Sequence, residues 1–138
     1  MDSPANPKVQ ANEPVNEAQK TILIVEDDPV LLKMYSEKFV FEGFKVLNAK
    51  DGQEALDVAS SQKPDVILLD IMLPRMSGTD FLEKYIETPA GKKTPVIALT
   101  NLTEEAEKQR ALKLGVKEYL VKAMQTPEEV VTKVKANM

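Results

Sequence analysis

Glu26, Asp27 and Asp28 stand in a row directly after the apolar run Thr21-Ile-Leu-Ile-Val25, and Asp70 follows Val66-Ile-Leu-Leu69. Thr100 ends Val96-Ile-Ala-Leu99, and Lys122 ends Tyr119-Leu-Val121. Singly, each has an ordinary explanation: Asp70 could open a turn before Pro74, Thr100 could cap a helix, and Lys122 could be a solvated amine. Their shared position at the end of an apolar run is the signal. Brought to one sheet edge, they form a carboxylate nest with one hydroxyl and one amine. Two carboxylates ~4 Å apart repel by about 4 kcal/mol at an effective dielectric of about 20, so such a nest takes up protons or a cation. The chain has no histidine and no cysteine. An oxygen-only donor set favours a hard ion, and Glu26, Asp27 and Asp70 are assigned to Mg²⁺. Asp28 is set apart, because Asp28-Pro29 at a strand-to-helix junction is explained by helix capping. The chemistry that suits this set is phosphoryl transfer onto a carboxylate. Asp70 attacks, Thr100 hydrogen-bonds one phosphoryl oxygen, Lys122 pairs with another, and the metal neutralises the group. Nothing here supplies a leaving group, so the donor is another protein's phosphorylated residue or a small phosphodonor.

Convergence of these residues depends on the elements that carry them. Apolar runs at Thr21–Val25, Phe44–Leu47, Val66–Leu69, Val96–Leu99 and Tyr119–Val121 read as five strands, each separated from the next by helix-length sequence. Consecutive apolar positions are expected of parallel strands covered on both faces. Helix starts are signalled by Asp28-Pro29, Asp51 with Glu54, Ser77-Gly78, Thr103 before two glutamates, and Thr126-Pro127-Glu128-Glu129. Phe81, Leu82, Tyr85 and Ile86 share one helical face, as do Val130, Val131 and Val134, and Gly43 and Gly115 sit where helices should stop. Alternating strands and helices predict a doubly wound α/β domain with a five-stranded parallel sheet. Ligands then sit beyond the carboxyl ends of the strands, where the six residues named above would meet.

Composition narrows the function. The 138 residues carry a net charge of −4, giving no basic excess for direct nucleic-acid binding. Without cysteine or histidine there is no disulfide framework, thiolate zinc site, Ser-His or Cys-His pair, or phosphohistidine of the chain's own. No apolar run approaches the ~20 residues of a membrane span, and the first residues lack a secretory signal's basic start and apolar stretch. A cytoplasmic protein without membrane insertion is expected. Residues 1–19, with Pro4, Pro7 and Pro14 and few large apolar side chains, read as a disordered N-terminal arm, and residues 20–138 as one domain.

In order and spacing, Ile-Leu-Ile-Val-Glu26-Asp27-Asp28, Leu-Leu-Asp70-Ile-Met-Leu-Pro74 with Gly78, Ala-Leu-Thr100 and Tyr119-Leu-Val-Lys122 resemble the receiver domain of bacterial two-component response regulators. The likeness is to stand-alone, chemotaxis-regulator-like members. It implies a flavodoxin-like (β/α)5 fold with strand order 2-1-3-4-5 and a signalling protein rather than an enzyme. Asp70 would accept a phosphoryl group from a sensor histidine kinase or a histidine phosphotransfer protein. Glu26 and Asp27 would hold Mg²⁺, with the Met72 backbone carbonyl as a further ligand. Thr100 and Tyr119 would form a switch that reshapes the face of the fourth helix, fifth strand and fifth helix for a downstream protein target.

Three features depart from the family pattern. Ala123 follows Lys122 where proline is usual, and a cis peptide before a non-proline residue costs about 2.5–4 kcal/mol. Asn101 follows Thr100 where a very small residue is usual, which would narrow access to Asp70; it also reads as an ordinary polar loop residue. Met72 and Leu102, two places after Asp70 and Thr100, are apolar and cannot position an attacking water, so slow loss of the phosphoryl group is expected. A phosphatase of the haloacid dehalogenase type would also form an aspartyl phosphate, but Met72 cannot act as its general acid. A flavin carrier would need hydroxyls where Glu26, Asp27 and Asp28 stand. A receiver that no longer takes phosphate is disfavoured by the filled acidic positions, and a receiver cut from a larger transcriptional regulator remains open.

Overall fold

The computed structural model describes residues 19–138. Apart from Gln19, the arm expected over residues 1–19 lies outside the described residues. Five strands, β1 (Thr21–Val25), β2 (Lys45–Ala49), β3 (Val66–Leu69), β4 (Val96–Thr100) and β5 (Glu118–Val121), alternate with five α-helices. These are α1 (Pro29–Phe41), α2 (Gly52–Gln62), α3 (Gly78–Tyr85), α4 (Glu105–Lys113) and α5 (Pro127–Ala136), with a 3-10 turn at Lys122–Met124. The sheet is parallel throughout in the order β2-β1-β3-β4-β5, as expected.

Consecutive apolar residues in the strands divide between two cores because side chains alternate across the sheet. Leu23, Val25, Ile67, Leu69, Val96 and Ala98 face a core closed by Ala55 and Ala59 of α2, Phe81, Leu82 and Tyr85 of α3, and Ala111 of α4. Ile22, Ile24, Val66, Leu68, Ile97 and Leu99 face the other, closed by Leu32, Tyr35 and Phe39 of α1 and Val130, Val131 and Val134 of α5. Burying a Val, Leu, Ile or Phe side chain contributes about 1.5–3 kcal/mol, so both faces hold the strand ends in fixed register.

Four helix starts form as the sequence predicts. Asp28 caps α1, Asp51 caps α2, Ser77 caps α3, and Thr126 with Glu129 forms a reciprocal capping box on α5. The fifth differs. Thr103 does not cap α4; the cap position falls on Glu104, whose side chain makes no capping bond, and Glu105 and Glu107 instead complement the positive end of the helix. The second strand begins later than expected, because the Phe44 N–H bonds the Phe39 carbonyl at 2.9 Å and closes α1. The Phe44 ring meets Phe39 edge-on with centroids 5.2 Å apart. Gly43 and Gly115 take positive φ of 95° and 100°, the left-handed conformation that ends α1 and α4.

Candidate functional site

All five strands point the same way, so the residues that follow β1, β3, β4 and β5 meet at one edge. The ladder continues one step past the strands: Glu26 N–H donates to the Ala49 carbonyl and Asp70 N–H to the Val25 carbonyl, both at 3.0 Å. Those bonds fix the two backbones from which the acids project. Glu26 and Asp70 are each only 5% exposed, whereas Asp27 is exposed at the mouth. Carboxylate oxygens of Glu26, Asp27 and Asp70 all lie within 4.8 Å of one another, the one such acidic group among the described residues.

Lys122 reaches into this nest. Its Nζ lies 2.7 Å from Glu26 Oε1 and 2.7 Å from Asp70 Oδ2. The remaining oxygens take backbone donors: Asp28 N–H donates to Glu26 Oε2 and Met72 N–H to Asp70 Oδ1, both at 3.0 Å. Burial pushes the Glu26 carboxyl above its ordinary value, outweighing the bonds from Lys122 and the Asp28 N–H. Burial alone would lower Lys122, but its bonds to Asp70 and Glu26 win and hold the ammonium above its ordinary range. Three carboxylates against one ammonium leave two formal negative charges (−3 + 1), and a divalent ion with a preference for oxygen fits that balance.

Thr100 is fully buried at the end of β4. Its Oγ1 accepts from the Leu102 N–H at 3.2 Å, while the Tyr119 hydroxyl donates to the Leu102 carbonyl at 2.6 Å. One peptide segment is therefore held by both predicted switch residues. Asp28 Oδ1 accepts from Val30 N–H at 2.9 Å, the capping role expected of it.

A profile described as the response regulator receiver domain matches residues 22–135. The chain belongs to this family. It is 39% identical over 116 residues to the probable transcriptional regulatory protein TcrX of Mycobacterium tuberculosis, covering 84% of this chain and 48% of TcrX. It thus spans about half the length of several curated relatives, TcrX among them. Among solved structures, the chemotaxis response regulator CheY4 of Vibrio cholerae superposes with a TM-score of 0.80 at 30% identity, over 87% of this chain and 99% of CheY4. The receiver domain of the sensor histidine kinase PA1611 from Pseudomonas aeruginosa, described with a magnesium ion coordinated in its active site cleft, superposes at 0.78 with 28% identity, over 87% and 98%.

In this receiver domain the geometry also adds supporting contacts that the sequence does not signal. A Cβ on Gly78 would lie 2.6 Å from the Asp70 carbonyl oxygen and 2.7 Å from Ile71 Cα, so α3 starts against the backbone that carries the acceptor. Asp51, beyond capping α2, pairs with the Arg75 guanidinium, and Gly52 packs on the backbone of Met76. The loop after Asp70 is thereby anchored to α2. Arg75 adopts a left-handed φ of 65° within that loop. Arg110 of α4 donates to buried Thr79 at 2.9 Å and pairs with Glu83 at 2.9 Å, joining α4 to α3. Asn101 Oδ1 accepts from the Ala123 N–H at 3.2 Å. No local spacing signals these pairs, which join separate loops and helices.

Proposed function

We propose that this receiver domain is the phosphoacceptor of a two-component phosphorelay and that Asp70 carries the phosphoryl group. The observation that supports this most is Lys122, shared at 2.7 Å between Glu26 and Asp70 at the end of the sheet. A sensor histidine kinase or a histidine phosphotransfer protein supplies the group. An Asp70 carboxylate oxygen attacks phosphorus, a P–O bond forms, and the P–N bond to the donor imidazole breaks with its electron pair on nitrogen, which takes up a proton. Glu26, Asp27 and Asp70, with the Met72 carbonyl, are the residues that would hold Mg²⁺. That ion supplies charge neutralisation for the transferring oxygens. Lys122, held as an ammonium, pairs with a phosphoryl oxygen, and the Thr100 hydroxyl bonds another.

The modification brings about −1.5 to −2 charge to the site, creating partners for Thr100 and Lys122 that exist only in the modified state. Thr100 gives up its bond from the Leu102 N–H as it turns to the phosphoryl group. Leu102 also accepts the Tyr119 hydroxyl, so the shift passes to Tyr119 and to the face of α4, β5 and α5, where a downstream protein target binds. Moving such a switch from 1:99 to 99:1 takes about 5.5 kcal/mol of differential stabilisation, within reach of a few charge-assisted hydrogen bonds in a dry site. Among the described residues no helix is long and apolar enough to cross a membrane. The phosphatase reading is weaker, because Met72, 55% exposed, offers only a thioether where a general acid is required.

Intact mass after incubation with acetyl phosphate and Mg²⁺ tests the proposal. Wild type gains one phosphoryl group and Asp70→Asn gains none; a gain that survives the substitution removes Asp70 as acceptor.

A further inference from the structure

Lys122 serves the site only if its backbone is fixed, because a displacement of about 1 Å is enough to cost a positioned group much of its effect. Its backbone leaves the sheet at the position where it must be held. The β4–β5 ladder ends at the pair Thr100 and Val121, and Lys122 opens the short 3-10 turn Lys122–Met124. That turn has no side-chain cap from Val121, and the bond across it, from Gln125 N–H to the Lys122 carbonyl, is 3.4 Å long. The first N–H groups of such a turn have no partner within it. Ala123 N–H is one of them, and it finds Asn101 Oδ1 at 3.2 Å. Asn101 is the residue after Thr100, so this side chain extends the β4–β5 pairing one step past the sheet.

We infer that Asn101 is a positioning residue for phosphoryl transfer: its side-chain carbonyl clamps the turn that aims Lys122 at Asp70. The inference rests on Asp70 being the acceptor. The clamp joins the segment that follows Thr100 at the end of β4 to the turn that Lys122 opens, and Thr100 and Lys122 are the two groups assigned to the phosphoryl oxygens. When Thr100 moves toward those oxygens, the turn behind Lys122 is carried with it. Asn101 touches no reacting atom; it acts through Lys122.

A double-mutant cycle tests the clamp, since Ala123→Pro deletes the N–H that Asn101 accepts. The readouts are the rate of covalent phosphorylation by acetyl phosphate at saturating Mg²⁺ and amide exchange at Ala123. Asn101→Ala slows phosphorylation about two- to tenfold, the range of one hydrogen bond, and speeds exchange at Ala123. In the Ala123→Pro background the same substitution changes the rate by less than about twofold, within the usual scatter of additive effects. An unchanged or faster rate for Asn101→Ala, as relief of crowding around Asp70 would give, overturns the inference, as does unchanged exchange at Ala123. Exchange is read on the single variant, so the test stands even where the proline variant does not fold. Absence of any phosphorylation in wild type would instead overturn the assignment of Asp70.

Discussion

Replacing Lys122 by methionine keeps the length of the stem and deletes the charge that bridges Glu26 and Asp70. At 2.7 Å each carboxylate gains about 6 kcal/mol of gross attraction from the ammonium at an effective dielectric of about 20. Desolvation of the three groups offsets most of it, the side chains of Lys122, Glu26 and Asp70 being only 16%, 7% and 5% exposed. What the substitution leaves is two buried carboxylates with no counter-charge, a situation that costs about 3 kcal/mol when one partner of a buried pair is removed. In EDTA, urea unfolding of Lys122→Met should therefore show a loss of about 3 kcal/mol. Mg²⁺ should behave oppositely. The ion meets three formal negative charges instead of two, and calorimetric titration should give at least a tenfold gain in affinity, about 1.4 kcal/mol. At 100 times its dissociation constant the ion restores about 2.7 kcal/mol, nearly all of the loss. Phosphorylation by acetyl phosphate should slow by about 10- to 100-fold, the equivalent of one charge-assisted hydrogen bond in the transition state. Unchanged or weaker Mg²⁺ binding, with unchanged stability in EDTA, would refute the reasoning that Lys122 and the metal answer the same excess of negative charge.

Gly78→Ala places a methyl group 2.6 Å from the Asp70 carbonyl, and we expect a loss of about 2 kcal/mol in urea unfolding together with slower phosphorylation. Met72, exposed beside Asp70, and Leu102 offer no group to orient water; the phosphorylated protein should decay slowly with Mg²⁺ present, and Met72→Asn should hasten decay at least about threefold when followed by intact mass. Arg75, ahead of the Glu54 N–H bond, holds Asp51 below its ordinary value of 3.8, so this pair contributes stability above that pH and loses it as pH falls through the lower folded value. Arg75→Ala should thus lower the urea midpoint at neutral pH, with the difference from wild type shrinking as the pH is taken down below 3.8.

The strand ends were legible because each chemical residue follows an apolar run that burial on both faces locks in register. Asp28-Pro29 and Thr126-Pro127-Glu128-Glu129 were legible because capping is local chemistry written within four residues. Thr103 misled for the complementary reason: several polar residues there can start a helix, and the cap position falls on Glu104 with no side-chain bond to mark it. Phe44 looked like strand by composition, but its N–H closes α1 while its ring packs on Phe39. At the site, the meeting of Glu26, Asp27, Asp70 and Lys122 followed from topology, as did the place of Thr100 at the same end of the sheet. Arg75 with Asp51, Arg110 with Thr79, and Asn101 with Ala123 did not, because each pair is set by how two separate segments dock, and neither partner carries a periodic or capping signal that names the other.

The central claim is that one carboxylate, Asp70, becomes an acyl phosphate. Trapping the acetyl-phosphate-treated protein with borohydride, which reduces an acyl phosphate to the alcohol, and mapping the product by peptide mass spectrometry reads that bond directly. Homoserine should form at position 70 alone, in Mg²⁺ and not in EDTA. Reduction at Glu26, Asp27 or Asp51, or an unaltered position 70 in folded protein, would contradict it.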